Sequence, residues 1–216
     1  MALLLLDLDN TLVDRDAAMR AAVVAFLAEH ELPAADLAWV MAVDGSGYTA
    51  RDDVVAALTD RYGGKVPDTA VDALVDDGGA GRVTLAPSSR AALGRARAAG
   101  WACAIVTNGP TGQQRAKIRR TGLDRLVQGW VISEEIGHKK PEPEIFEAAA
   151  AAVGVPLRGA WVIGDSPHAD IAGAGTLGLR SVWVTDGSPW TQDAYRPTRI
   201  AGDVASAIGH AIGATG

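Results

Sequence analysis

The chain has 216 residues, 48% hydrophobic and 21% charged, enough for one globular domain with a sizeable insertion. Its 20 Lys and Arg against 26 Asp and Glu give a formal net charge of -6, which speaks against a protein that grips a nucleic-acid backbone. No apolar run approaches the roughly 18 residues of a membrane span, and a single cysteine, Cys103, excludes an internal disulfide and disfavours a cysteine-built zinc site. Residues 1–6 lack a basic leader and are cut short by Asp7, so they read poorly as a signal peptide. A reducing cytoplasm is the expected location, with no membrane and no nucleic acid as partner.

Strand-length apolar runs recur at Ala2–Leu6, 101–106, Gly129–Ile132, Trp161–Gly164 and 181–184. Helical patterns separate most of them, at 88–99 before Gly100, 112–121 before Gly122 and Pro143–Val153 before Gly154, each glycine suited to end a helix. Continuous apolar runs alternating with helices indicate parallel strands buried on both faces. A last helix is expected over 203–212. The stretch after the first strand breaks this rhythm, with about 75 residues and no good strand. Helical spacing appears there at 17–30 (Met19, Ala22, Val23, Phe26, Leu27), 35–43, Arg51–Tyr62 and Asp68–Asp77, separated by Pro and Gly turns. The expectation is an α/β fold, a Rossmann-like open parallel sheet over residues 1–13 and 86–216, with a helical cap inserted at 14–85. The same helices could instead cover one face of the sheet.

In such a sheet ligands bind beyond the carboxyl ends of the strands, and four polar clusters fall there. Asp7-Leu-Asp9 places two carboxylates on one side of an extended chain. They repel unless a cation or proton lies between them, Mg²⁺ suits such oxygen ligands, and an aspartate can attack phosphorus. Thr107-Asn108-Gly109 offers a hydroxyl, an amide and a free N–H, a set that suits phosphate oxygens. Lys139 and Lys140 precede Pro141 at a helix start, where an anion would offset the unfavourable placement of a cation. Asp165 and Asp170, in Gly164-Asp-Ser-Pro-His-Ala-Asp170, can reach one cation. Taken singly, each cluster could equally be a turn, a helix cap or a solvated surface. Gly173-Ala-Gly-Thr-Leu-Gly178 fits a dinucleotide pattern but precedes a strand instead of following one, which excludes NAD binding.

Together and in this order, the four clusters resemble the motifs of the haloacid dehalogenase superfamily of hydrolases. They read Asp7-x-Asp9-Asn-Thr-Leu, Thr107-Asn-Gly, Lys140-Pro-Glu-Pro-Glu-Ile-Phe and Gly164-Asp-Ser-x-x-x-Asp170-Ile. The inserted helices resemble that family's helical cap of the first type. The segment from Thr107 to Phe146 looks like the branch of pyrimidine 5'-nucleotidases and N-acylneuraminate-9-phosphatases. The resemblance implies that Asp7 is the nucleophile, Asp9 the acid and base, and Thr107 and Lys140 the holders of the phosphoryl oxygens, with Asn108 and Gly109 assisting. It also implies Mg²⁺ bound by Asp7, the Asp9 carbonyl, Asp165 and Asp170. Lys140 is preferred to Lys139 because the family's lysine directly precedes proline. His168 is read as a rim or surface residue. Family members that cleave carbon–halogen bonds lack the acid matching Asp9, and those that cleave carbon–phosphorus bonds use a cap lysine, for which only Lys65 is at hand. The implied activity is therefore hydrolysis of a small phosphorylated metabolite, a nucleotide or sugar phosphate, through an aspartyl-phosphate. A phosphomutase and a catalytically silent regulatory protein are the alternatives. Tyr48 and Arg51, beside the Gly-rich turn at 44–47, are the candidate substrate contacts in the cap.

Overall fold

The computed structural model describes residues 1–214. In chain order the elements are β1 (Ala2–Leu6), α1 (Arg15–Glu29), α2 (Leu37–Asp44), α3 (Arg51–Tyr62), α4 (Asp68–Asp77), α5 (Pro87–Ala98), β2 (Trp101–Thr107) and α6 (Thr111–Thr121), then β3 (Gly129–Ile132), α7 (Ser133–Ile136), α8 (Pro143–Val153), β4 (Trp161–Gly164), α9 (Gly173–Thr176), β5 (Arg180–Val184), β6 (Arg199–Ala201) and α10 (Val204–Gly213). The chain divides into two compact units, one of Met1–Val13 with Leu85–Gly216 and one of Asp14–Thr84. Among the described residues no helix is long and apolar enough to cross a membrane.

The first unit is an open, wholly parallel sheet in the order β3-β2-β1-β4-β5-β6. Its middle strands are apolar throughout because both faces are covered. Leu3 and Leu5 of β1 join Ala104, Val106 and Val162 against Ile145 and Phe146 of α8. Alternation sends Leu4, Leu6 and Cys103 to the opposite face, where α5 packs on β2 and α10 on β4 and β5. Asp203 caps α10, its carboxylate accepting from Ser206 N at 2.9 Å. The chain leaves β1 for β2 and β3 on one side, then returns to β4 on the other. That reversal opens the binding crevice of an open α/β sheet at the β1 carboxyl end.

Five of the six strands coincide with expected runs to within a residue at either end. The edge strand β6 was not expected, because its three residues include exposed Arg199 and Ile200 and so carry no apolar run. Asp170 lies in a wide π turn over Pro167–Ala172 that leads into the short α9. Gly173 is required by packing, since an added Cβ would lie 2.8 Å from the Phe146 ring.

The second unit is α1 to α4 around its own core of Met19, Val23, Phe26, Val40, Leu58, Tyr62 and Val71. A buried ion pair joins Arg15 at the start of α1 to Asp44 at the end of α2, with Arg15 Nη2 2.6 Å from Asp44 Oδ1. Asp44 also accepts from Gly47 N at 3.2 Å, which tethers the tight turn after α2. Gly79, at φ +79°, lets the turn after α4 press on α1, where a Cβ would come within 2.8 Å of Met19 N.

Candidate active site

Polar residues that follow β1 and β4 converge with Lys140 on one point in the first unit. Asp7 continues β1 and its N–H donates to Ile163 O of β4 at 2.9 Å, which puts the carboxylate at the reversal of strand order. It is 7% exposed. Lys140, from the segment before α8, reaches in with its Nζ 2.5 Å from Asp7 Oδ1 and 2.8 Å from Asp170 Oδ1. Lys139 beside it is exposed. Asp170 is fixed by Ser166 N, which donates to its Oδ2 at 3.1 Å. Gly164 makes room for it, because a Cβ there would lie 2.2 Å from the Asp170 carboxyl carbon. Thr11 Oγ1 lies 3.3 Å from Asp7 Oδ2 and 3.4 Å from Asp165 Oδ1, so its single proton faces two carboxylates. Trp183 of β5 donates its indole N–H to Asp165 O at 2.6 Å.

Asp7, Asp165 and Asp170 each offer an oxygen within 4.8 Å of the other two. One ammonium does not balance three carboxylates out of water, and the protonation behaviour follows from that. Burial first, then the charges of Asp7 and Asp170, push the Asp165 carboxyl up to about 9. Burial also raises Asp170, to about 6, although Lys140 opposes it. For Lys140, burial pulls the ammonium down, but Asp170 and Asp7 outweigh it and hold the charge. A cluster of oxygen donors with excess negative charge, tied by short hydrogen bonds into one geometry, fits a hard divalent cation. The second candidate group, His138 with Glu142 and Glu144, lies near the surface, where His138 Nδ1 is 2.9 Å from Glu142 Oε2.

Residues 1–178 match the sequence pattern of haloacid dehalogenase-like hydrolases. The chain belongs to that family. A phosphoserine phosphatase of Thermus thermophilus is 41% identical over 106 residues, covering 49% of this chain and 43% of that one, so the chain spans less than half of that relative. A phosphoglycolate phosphatase of Cereibacter sphaeroides is 30% identical over 189 residues, 84% of each chain. In fold, the magnesium-bound family hydrolase YfnB of Bacillus subtilis superposes with a TM-score of 0.78 at 22% identity, over 95% of this chain and 96% of the other. The family's α/β architecture is the one described above.

Several of the expected site residues have partners of their own within their unit. The Asp9 carboxylate is not part of the group formed by Asp7, Asp165 and Asp170. Lys117 Nζ instead lies 2.8 Å from both Asp9 oxygens, and Gln114 Nε2 donates to Asp9 Oδ2 at 3.0 Å. Asn108, expected to assist with phosphate, spends its amide on the Lys140 peptide. Its Nδ2 donates to Lys140 O at 3.0 Å and its Oδ1 accepts from Lys140 N at 2.8 Å, so it anchors the lysine's backbone. The Gly109 N–H donates to Ser133 Oγ at 3.0 Å. Thr107 ends β2 fully buried, its Oγ1 accepting from Gln114 Nε2 at 2.5 Å. In the helical unit Tyr48 is 72% exposed. Arg51 has its guanidinium committed to Asp76 at 2.6 Å and Asp72 at 2.8 Å, which competes with the substrate contact expected of it.

Three polar residues of this centre were not expected: Thr11, Gln114 and Lys117. A signal for the last two exists. Gln114, Lys117, Ile118 and Thr121 are the buried residues of α6, spaced i, i+3, i+4, i+7. That is a helical inner face, overlooked because three of its four residues are polar.

Proposed function

We propose that the protein is a Mg²⁺-dependent phosphatase that hydrolyses a small phosphorylated metabolite through an aspartyl-phosphate on Asp7. The observation that carries this reading is the Asp7 carboxylate at the strand-order reversal, gripped by Lys140 with Asp165 and Asp170 alongside. Asp7, Asp165 and Asp170, with the main-chain carbonyl of Asp9, would hold the ion, whose charge lets an anionic carboxylate and an anionic phosphate approach.

The chain's own groups do the rest. An oxygen of Asp7 attacks phosphorus in line, and the ester P–O bond breaks as the leaving oxygen takes a proton from Asp9. Asp9, now a carboxylate, takes a proton from water. The water oxygen attacks phosphorus, inorganic phosphate departs and Asp7 is regenerated. Lys140 shifts from Asp7 Oδ1 to a phosphoryl oxygen as charge moves outward, and the Thr107 hydroxyl and backbone beside it offer further contacts. Residues 14–85 act as a cap that selects the leaving group, with exposed Tyr48 as the candidate contact. Relatives acting on phosphoserine and phosphoglycolate support a small anionic substrate.

Asp7→Asn tests the reading. It keeps shape and removes the nucleophile, so phosphate release from p-nitrophenyl phosphate with Mg²⁺ should fall by about four orders of magnitude or more, with an unchanged circular dichroism spectrum. Turnover near the original rate would refute the assignment.

A further inference from the structure

The helix after β2 carries a charge that this mechanism leaves unused. Lys117 is only 2% exposed, although lysine is almost never fully buried unless paired. Its ammonium meets three acceptors, the two oxygens of Asp9 and Gln114 Oε1, all at 2.8 Å, so each of its three protons has a partner. Gln114, 1% exposed, in turn donates to Asp9 Oδ2 and to Thr107 Oγ1. A stabilising inner face of a helix needs no such pair, since an apolar side chain of similar volume serves as well or better.

The hydrogen bonds define which atom of Asp9 remains available. A carboxylate accepts in about four lone-pair directions. Lys117 takes one on each oxygen, and Gln114 takes the second on Oδ2. One direction is left, on Oδ1, and the side chain is 25% exposed. We propose that Lys117, with Gln114, is a positioning residue for Asp9, holding the carboxylate in one rotamer so that Oδ1 alone meets the leaving oxygen and the water. The inference rests on the reading of Asp9 as the proton-transfer group. Gln114 joins Asp9 to Thr107, so one side chain sets the spacing between the proton-transfer carboxylate and the β2 end of the site.

The test is a double-mutant cycle of Asp9→Asn and Lys117→Met in the full chain with Mg²⁺, read on p-nitrophenyl phosphate and on phenyl phosphate. The two have nearly the same shape, but phenol is the poorer leaving group and depends more on a proton donor. Lys117→Met should lower kcat by about ten- to a hundredfold with KM changed by less than about threefold. Its kcat/KM loss should be larger, by about tenfold, on phenyl phosphate. In the Asp9→Asn background the same substitution should cost less than about threefold, because its target is gone. An equal loss on both esters, or the same loss in both backgrounds, or wild-type kinetics, would overturn the proposal. Should Asp9→Asn itself turn over normally, the assignment of Asp9 fails and the positioning role falls with it; a normal loss there with an additive Lys117→Met isolates the failure to Lys117. If Lys117→Met does not fold, Gln114→Ala, which removes the bonds to Asp9, Thr107 and Lys117 but no charge, carries the same comparison.

Discussion

Charge is handled in opposite ways by the two units. In the helical unit three arginines have their own anions close by: Arg15 with Asp44, Arg51 with Asp72 and Asp76, and Arg61 with Asp36 at 2.6 Å while its guanidinium lies over the Trp39 ring. In the sheet unit three carboxylates share one lysine at the end of β1. The first arrangement is locally complete and serves folding. The second is left with excess negative charge in a mostly buried place, an arrangement associated with binding and catalysis. It is this imbalance, rather than the number of charges, on which the proposed active site rests.

The sharpest way to break that contrast is to alter the balance at the sheet. Lys140→Met removes the cation that Asp7 and Asp170 share, and kcat should fall by about three orders of magnitude, as for loss of a group that stabilises developing charge. The same variant should become more dependent on divalent cation for stability. Its melting temperature should rise more on adding Mg²⁺ than that of the wild type, because only the folded state offers the site. A Mg²⁺-induced shift no larger than in the wild type would mean that Lys140 and the cation do not answer the same excess of charge.

In the helical unit the equivalent change should cost stability and leave the chemistry of Asp7 in place. Arg15→Met strands Asp44, itself 5% exposed, without its partner, at a cost of about 3 kcal/mol. Thermal or urea unfolding followed by helical circular dichroism measures it. Arg15→Met combined with Asp44→Leu should recover most of the loss, since two well-packed apolar groups replace a desolvated pair. A double variant as unstable as the single one would show that the pair does more than satisfy itself.

The same contrast explains what could be read from the residues alone. Strands β1 to β5 were legible because fully covered parallel strands are written as unbroken apolar runs, as in Trp101–Thr107, where every residue is buried. The edge strand β6 has no such run, with Arg199 and Ile200 exposed. Asp7, Lys140, Asp165 and Asp170 were legible because each follows a strand or precedes a proline-led helix, a position that order alone identifies. The partners of Asp9 were not, since nothing in the spacing along β1 points to Lys117 and Gln114, more than 100 residues away on α6. Lys117 was hidden for another reason. A buried polar face has the periodicity of a core and the composition of a surface, and hydrophobic patterning cannot tell it from solvent.

The smallest effect is expected at Cys103, and its smallness is informative. The thiol sits on β2 with no exposed surface, and burial pushes it up to about 12. Burial alone accounts for the rise, and it disfavours the thiolate, the reactive form. Iodoacetamide at pH 8 should therefore leave the native protein unlabelled over a period that fully labels the urea-unfolded chain, with mass spectrometry as the readout. Residual labelling then measures opening of the sheet. Prompt labelling of native protein would mean that the covered face of β2 is open to solvent. The continuous apolar strands would then no longer account for the rigidity with which β1 and β4 present Asp7 and Asp165.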